Sequence, residues 1–178
     1  VESFDFFESD WIKTGIKEER LIYQDVINEC THKWLFYKSM ALQEKLGLRR
    51  DIPADLRVMI GSQWWCLRRR TIEWILDFTR KRPDVMAFFR KTWIPDETFF
   101  QTLVRHLVPE SEIRNRTLTF LMFTDYGMPV VFYNDHYDML LSQDYLFARK
   151  ISPDATTLKK RLGDLFGAQN VEFKISNE

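Results

Sequence analysis

The sequence is poor in the residues on which most metal, redox and phosphate sites depend. Its 178 residues hold two cysteines, Cys30 and Cys66, three histidines and six glycines. Two thiols make neither a disulfide framework nor a metal quartet, and they fit a reducing compartment. His32, His106 and His136 are scattered, with no Cys/His cluster at ligand spacing. The glycines are dispersed, so there is no Gly-rich phosphate loop, and no Gly-x-Ser-x-Gly elbow offers a serine nucleophile. No two aspartates stand as Asp-x-Asp, and no metal is expected. Apolar runs fall short of the roughly 18 residues that span a bilayer, and no segment reads as a secretory signal. Twenty-six basic residues balance 26 acidic ones, which removes the electrostatic footprint of a nucleic-acid binder.

Aromatic residues are abundant: 15 Phe, 6 Trp and 6 Tyr make up 15% of the chain. With 45% apolar and 29% charged residues, the composition is that of a globular protein with a sizeable core. Such aromatics either fill that core or form surfaces on which sugars and bases stack. The chain begins at Val1 inside an aromatic, acidic stretch, so a longer polypeptide is expected around it.

Residues 1–15 read as an extended lead-in. Helical spacing runs from Lys17 to about Leu46, with Gly47 as its C-terminal stop. Arg57–Ile60 reads as a short buried strand closed by Gly61 and Ser62. Arg70–Arg82 is an amphipathic helix stopped by Pro83, a short helix covers about Asp84–Arg90, and another covers Asp96 to about Leu107. Leu118–Phe123 and Val130–Tyr133 read as strands around the turn at 124–129. Asp135 is placed to cap a helix through Leu141, and Ala155–Leu165 is a last helix ending at Gly167. The alternation predicts an α/β fold with a small mixed sheet flanked by helices.

Three segments carry candidate chemistry. In Trp93-Ile94-Pro95-Asp96-Glu97, proline presets φ and Asp96 is a good N-cap residue, so Glu97 stands on a rigid approach to a positive helix end. A carboxylate held that way at a cleft can act as a general base, and the same residues can simply cap a helix. In Gly61-Ser62-Gln63-Trp64-Trp65, a continuing strand would point the paired indoles in opposite directions. One would then face a cleft and a sugar's CH face, unless both enter the core. In Phe147-Ala148-Arg149-Lys150, two adjacent cations could neutralise a diphosphate, or form an ordinary solvated pair.

In this order and spacing, the three segments resemble the core-2/I-branching glycosyltransferases (glycosyltransferase family 14). That family includes β-1,6-N-acetylglucosaminyltransferases and peptide O-xylosyltransferases. The matching residues are Gly61 to Trp65, Trp93 to Glu97 with Phe99 to Leu103, and Leu146 to Lys150; the doubled tryptophan and the aromatic strand Phe120 to Phe123 resemble bacterial members. The resemblance covers about residues 15–165 and implies the C-terminal half of a GT-A-like catalytic domain, with the nucleotide-binding half lying outside the chain. It implies an inverting, metal-independent transfer of a sugar, N-acetylglucosamine ahead of xylose, from a UDP-sugar to a glycan hydroxyl.

Glu97 would then be the base, with Arg149 and Lys150 on the donor diphosphate. Ser62, Trp64 or Trp65, and Asp96 would lie at the sugar or acceptor. Glu19 and Arg20 stand where relatives carry a Glu-Arg pair, and Arg114 and Arg116 are candidates for a second diphosphate contact. By the same analogy the protein is expected in the cytoplasm, peripheral at the inner membrane. The alternative expectation is a carbohydrate-binding or scaffolding domain that keeps the fold without transfer.

Overall fold

Residues 1–11 and 17–167 are described by the computed structural model of the chain, which separates into two units between Thr117 and Leu118. The first unit opens with a strand, β1 (Phe4–Asp5), in place of the extended lead-in expected over residues 1–15, of which 12–15 lie outside the described residues. β1 pairs antiparallel with β2 (Met59–Ile60), setting Phe4 opposite Ile60 and Asp5 opposite Met59. Phe6, just past β1, is buried beside Val58 and Ile60.

The helix expected from Lys17 to Leu46 is two helices, α1 (Glu19–Ile22) and α2 (Glu29–Lys45). Tyr23 turns extended after Ile22, and Asn28 restarts the helix as an N-cap whose side chain accepts from the Cys30 N–H. Apolar spacing runs through such a break because it is blind to caps. α2 ends as expected: Gly47 takes φ +65, its N–H reaches the Glu44 carbonyl and the Leu48 N–H reaches Gln43, a Schellman closure.

Three further α-helices follow among the described residues of the unit: α3 (Arg69–Lys81), α4 (Pro83–Arg90) and α5 (Phe99–Leu107). Pro83 does end α3, since Arg82 before it leaves helical geometry, and Pro83 itself starts α4 at the position where its missing N–H costs nothing. The inner faces of these helices bury Ile75, Val85, Phe89, Leu103 and Val104 around Ile60. Each such side chain contributes about 1.5–3 kcal/mol of burial.

The second unit holds the other ladder. β3 (Thr119–Phe120) pairs in parallel with β4 (Phe147–Ala148), and single bridges join Phe123 to Pro129 and Phe132 to Ile151. Among the described residues the expected small mixed sheet is instead two short ladders, one in each unit. Gly127, at φ +73, turns the chain between Phe123 and Pro129. A 3-10 turn at Asn134–His136 leads into α6 (Tyr137–Leu141), and α7 spans Thr156–Gly167. Asp135 lies inside that turn and makes no cap bond; the Tyr133 N–H donates to His136 Nδ1 instead. Phe132, Ala155 and Leu158 are the buried centre, with Phe120 stacked on Phe132. Among the described residues no helix is long and apolar enough to cross a membrane.

Candidate active site

Glu97 lies at the end of a short 3-10 turn, Pro95–Glu97, rather than inside an α-helix beginning at Asp96. Ile94 before it sits in the left-handed region at φ 50 and ψ 63, an uncommon state for a β-branched residue and for one preceding proline. That reversal winds the next three residues tightly and delays α5 to Phe99, with Thr98 fully buried between. Asp96 is accordingly exposed in the turn and caps nothing. The Glu97 carboxylate remains one residue before the N-terminal cap of α5, where a helix end favours negative charge.

Gln101 fastens this turn to the end of β2. Its side chain is fully buried, and Nε2 lies 3.3 Å from the Gly61 carbonyl, 2.8 Å from that of Ser62 and 3.2 Å from that of Asp96. The Gly61 N–H donates to the Glu97 carbonyl at 2.9 Å. One helix residue thus registers Ser62, Asp96 and Glu97 against each other. Thr102 beside it, also buried, accepts from the Met59 N–H at 2.9 Å and fixes the strand to the helix. The signal for Gln101 and Thr102 in the sequence is their polar character inside an otherwise apolar helix.

The doubled tryptophan does not follow strand alternation, because β2 ends at Ile60. Ser62 Oγ accepts from the Trp64 N–H at 3.1 Å and turns the chain. The indoles still diverge: Trp65 is half-buried with its ring 4.2 Å from that of Phe100, while Trp64 is 45% exposed. Ser62, Trp64, Trp65, Asp96 and Glu97 all belong to the first unit.

The partner of Glu97 is Arg20. Its Nη1 lies 3.1 Å from Glu97 Oε2, and the two side chains are 4% and 30% exposed. The guanidinium also lies over Trp93, 5.0 Å from the ring centroid. Arg50 holds the backbone that carries Arg20: Nη2 reaches the carbonyls of Arg20 at 3.3 Å and Leu21 at 2.7 Å, and Nη1 reaches that of Phe88 at 2.7 Å. Burial pulls Arg50 down to about 10, with Asp25 opposing the shift. Asp25 is in turn pushed up by burial, which outweighs the Ile27 N–H and the Arg50 charge. Arg20, Tyr23, Asp25, Phe36 and Trp93 line a small open cleft. Glu97 is not among the residues that line it and meets the cleft through Arg20; a carboxylate with one oxygen held by arginine suits the deprotonation of a hydroxyl.

Arg149 and Lys150 follow β4 in the second unit. The Arg149 N–H donates to the Phe120 carbonyl at 3.0 Å and extends the β3–β4 ladder, while the Lys150 carbonyl accepts from the Phe132 N–H at 2.7 Å beside the Phe132–Ile151 bridge. Lys150 is exposed and Arg149 half-buried. Among the described residues no group of three or more His, Cys, Asp or Glu is placed to hold a metal ion.

Over residues 12–138 the sequence matches the Core-2/I-Branching enzyme family, and over residues 149–178 it matches a family of unknown function, DUF5928. No curated protein and no solved structure matches significantly. The activity that goes with the first match is glycosyl transfer. With more than half of its length inside that match, the chain belongs to the core-2/I-branching enzyme family. Ser62, Trp64, Trp65, Asp96, Glu97 and Arg20 fall within the matched span; Arg149 and Lys150 fall beyond it, where the second match begins.

Proposed function

We propose that this chain carries the acceptor-activating part of an inverting, metal-independent glycosyltransferase with Glu97 as its general base. The observation that carries the reading is the carboxylate itself: Arg20 binds Oε2, no described residue donates to Oε1, and the side chain is 30% exposed. Oε1 is the atom that takes the proton of an acceptor hydroxyl as its oxygen attacks the anomeric carbon and the nucleotide diphosphate leaves from the opposite face. Base catalysis of this kind is worth about 10²–10⁴-fold in rate. It is the base half of the inverting glycosidase scheme, with an alcohol in place of water. Trp64 or Trp65, with Ser62 and Asp96, hold the sugars, and Arg149 and Lys150 stabilise the charge growing on the diphosphate.

The donor is a UDP-sugar, N-acetylglucosamine ahead of xylose, and the acceptor a glycan hydroxyl. The resemblance to bacterial members supports a cytoplasmic, GT-A-like enzyme.

A peripheral contact with an anionic bilayer fits the outer face of α2. There Trp34 (68% exposed), Leu35 and Leu42, with Leu46 at the C-terminal cap, are exposed among exposed Lys38 and Lys45. A second copy docked there about a two-fold would oppose like charges. Binding to phosphatidylglycerol vesicles, absent with phosphatidylcholine and lost on Trp34→Ser with Lys38→Ser, is the expected result; equal binding to both lipids, or to neither, contradicts it.

UDP release by the complete protein from UDP-N-acetylglucosamine, UDP-xylose, UDP-glucose and UDP-galactose tests the main reading. Turnover of one donor that survives EDTA is expected. Dependence on Mn²⁺ contradicts the metal-free route. Glycan binding without release from any donor favours the non-catalytic carbohydrate-binding or scaffolding domain.

A further inference from the structure

We propose that Arg20 is the positioning residue that aims the Glu97 carboxylate, an inference that rests on Glu97 being the base. Three features make Arg20 more than an ion-pair partner. It is 4% exposed, so its guanidinium, which stays charged in proteins, needs a fixed counter-charge, and among the described residues Glu97 is the carboxylate it bonds. It is held at both ends: Trp93 lies under the guanidinium at 5.0 Å, and Arg50 bonds the Arg20 carbonyl at 3.3 Å and the Leu21 carbonyl at 2.7 Å. Arg50 is itself tied to the Phe88 carbonyl at 2.7 Å and to Thr92 Oγ1 at 3.2 Å, both at the end of α4 that leads into Trp93. The base and its holder are therefore fixed to the same piece of backbone from two sides.

The consequence for chemistry is directional. Nη1 occupies Oε2 and leaves Oε1 without a donor among the described residues, so the lone pairs available to an acceptor hydroxyl belong to one oxygen. Without that bond the Glu97 side chain can rotate about its own torsions, since its backbone is held through Gly61 and its other oxygen is free of donors. A misplacement of about 1 Å in such a group costs on the order of 10²-fold in rate. Lysine cannot replace the arrangement in full, because an ammonium is a point charge with no planar face to lie on Trp93.

The test is a double-mutant cycle in the complete protein, read as UDP release from UDP-N-acetylglucosamine or whichever UDP-sugar the wild type turns over fastest. Arg20→Gln is expected to lower kcat about 10²-fold with the donor KM within threefold, and Arg20→Lys to recover part of the loss. Added to Glu97→Gln, Arg20→Gln is expected to cost less than threefold more, because both changes remove the same function. A merely structural role predicts the opposite: the same factor lost in both backgrounds, in step with lowered thermal stability. That result, or Arg20→Gln within threefold of wild-type kcat, overturns the proposal. Should Arg20→Gln not fold, Arg20→Lys in the same cycle decides by the same criterion. Glu97→Gln retaining more than a tenth of wild-type turnover, or no turnover of any donor by the wild type, instead overturns the reading beneath it.

Discussion

Gly61→Ala is the substitution whose effect follows most directly from the geometry. A Cβ built at Gly61 would lie 2.0 Å from the carbonyl oxygen of Glu2, 2.8 Å from its carbon and 3.2 Å from the Ser3 Cα. All three are backbone atoms, so no rotamer change relieves the clash. The neighbouring strand cannot drift freely, because Phe4 is paired with Ile60 and the Ser3 N–H is bonded to Asn115 Oδ1 at 2.6 Å. On the other side, the Gly61 N–H holds the Glu97 carbonyl and the Gly61 carbonyl receives Gln101 Nε2. Moving Gly61 to admit a methyl therefore breaks either the β1–β2 pairing or the bonds that register Glu97. Overpacking costs about 1–3 kcal/mol. One lost hydrogen bond adds about 1 kcal/mol. A loss of about 2–4 kcal/mol is expected, read as a lower urea midpoint at unchanged slope and a fall in melting temperature on the order of 10 °C. Turnover should fall further than the folded fraction does. A Gly61→Ala protein within about 0.5 kcal/mol of wild type, a shift ordinary for surface changes, would refute the close approach and the registration argument built on it.

Two other outcomes are expected. Asp5 lies against burial that would raise its carboxyl, but the Arg57 side chain and the N–H groups of Glu8 and Phe7 outweigh it and hold the group below its ordinary value of 3.8. A depressed folded value means the stabilisation is present above that pH and lost as pH falls through it. Arg57 is mostly exposed, so solvent screens part of its contribution beside the two backbone donors. Asp5→Asn should cost about 1 kcal/mol at pH 7 by urea unfolding, with the gap closing below pH 3.8; a gap independent of pH rejects this account. Lys150→Ala should raise donor KM and lower kcat, together about tenfold or more, if its ammonium meets the diphosphate; unchanged kinetics would remove it from the site.

Much of the fold was legible because local rules act within a few residues. Pro83 and Gly47 mark element ends through φ restriction and left-handed tolerance, and the spacing of Ile75, Leu103 and Val104 follows helix periodicity. Illegible were features set by distant partners or by local turns that apolar spacing does not register. The β1 strand forms because Ile60 lies opposite Phe4, more than fifty residues away, and no periodicity in a two-residue strand announces that. The break between α1 and α2 depends on the Asn28 cap, hidden inside an apolar rhythm that continues across it. Glu97 was visible as a helix-start carboxylate, but the 3-10 turn that displaces it from α5 comes from the backbone state of Ile94, which residue type argues against. Arg20 stood out only as part of a Glu-Arg pair; its role depends on Trp93 and Arg50, which the fold alone brings to it. Arg149 and Lys150 were legible as a basic pair, yet they lie in the second unit and outside the family match, so their part rests on the sequence resemblance.

Glu97→Gln tests the central claim most directly, since it keeps the volume and the neutral oxygen that Arg20 can bond while removing the proton acceptor. Measured as UDP release on the complete protein, turnover should fall by about 10²-fold or more, the scale of lost base catalysis, with donor affinity by thermal shift nearly unchanged. Turnover above a tenth of wild type would contradict the assignment of Glu97 as the base.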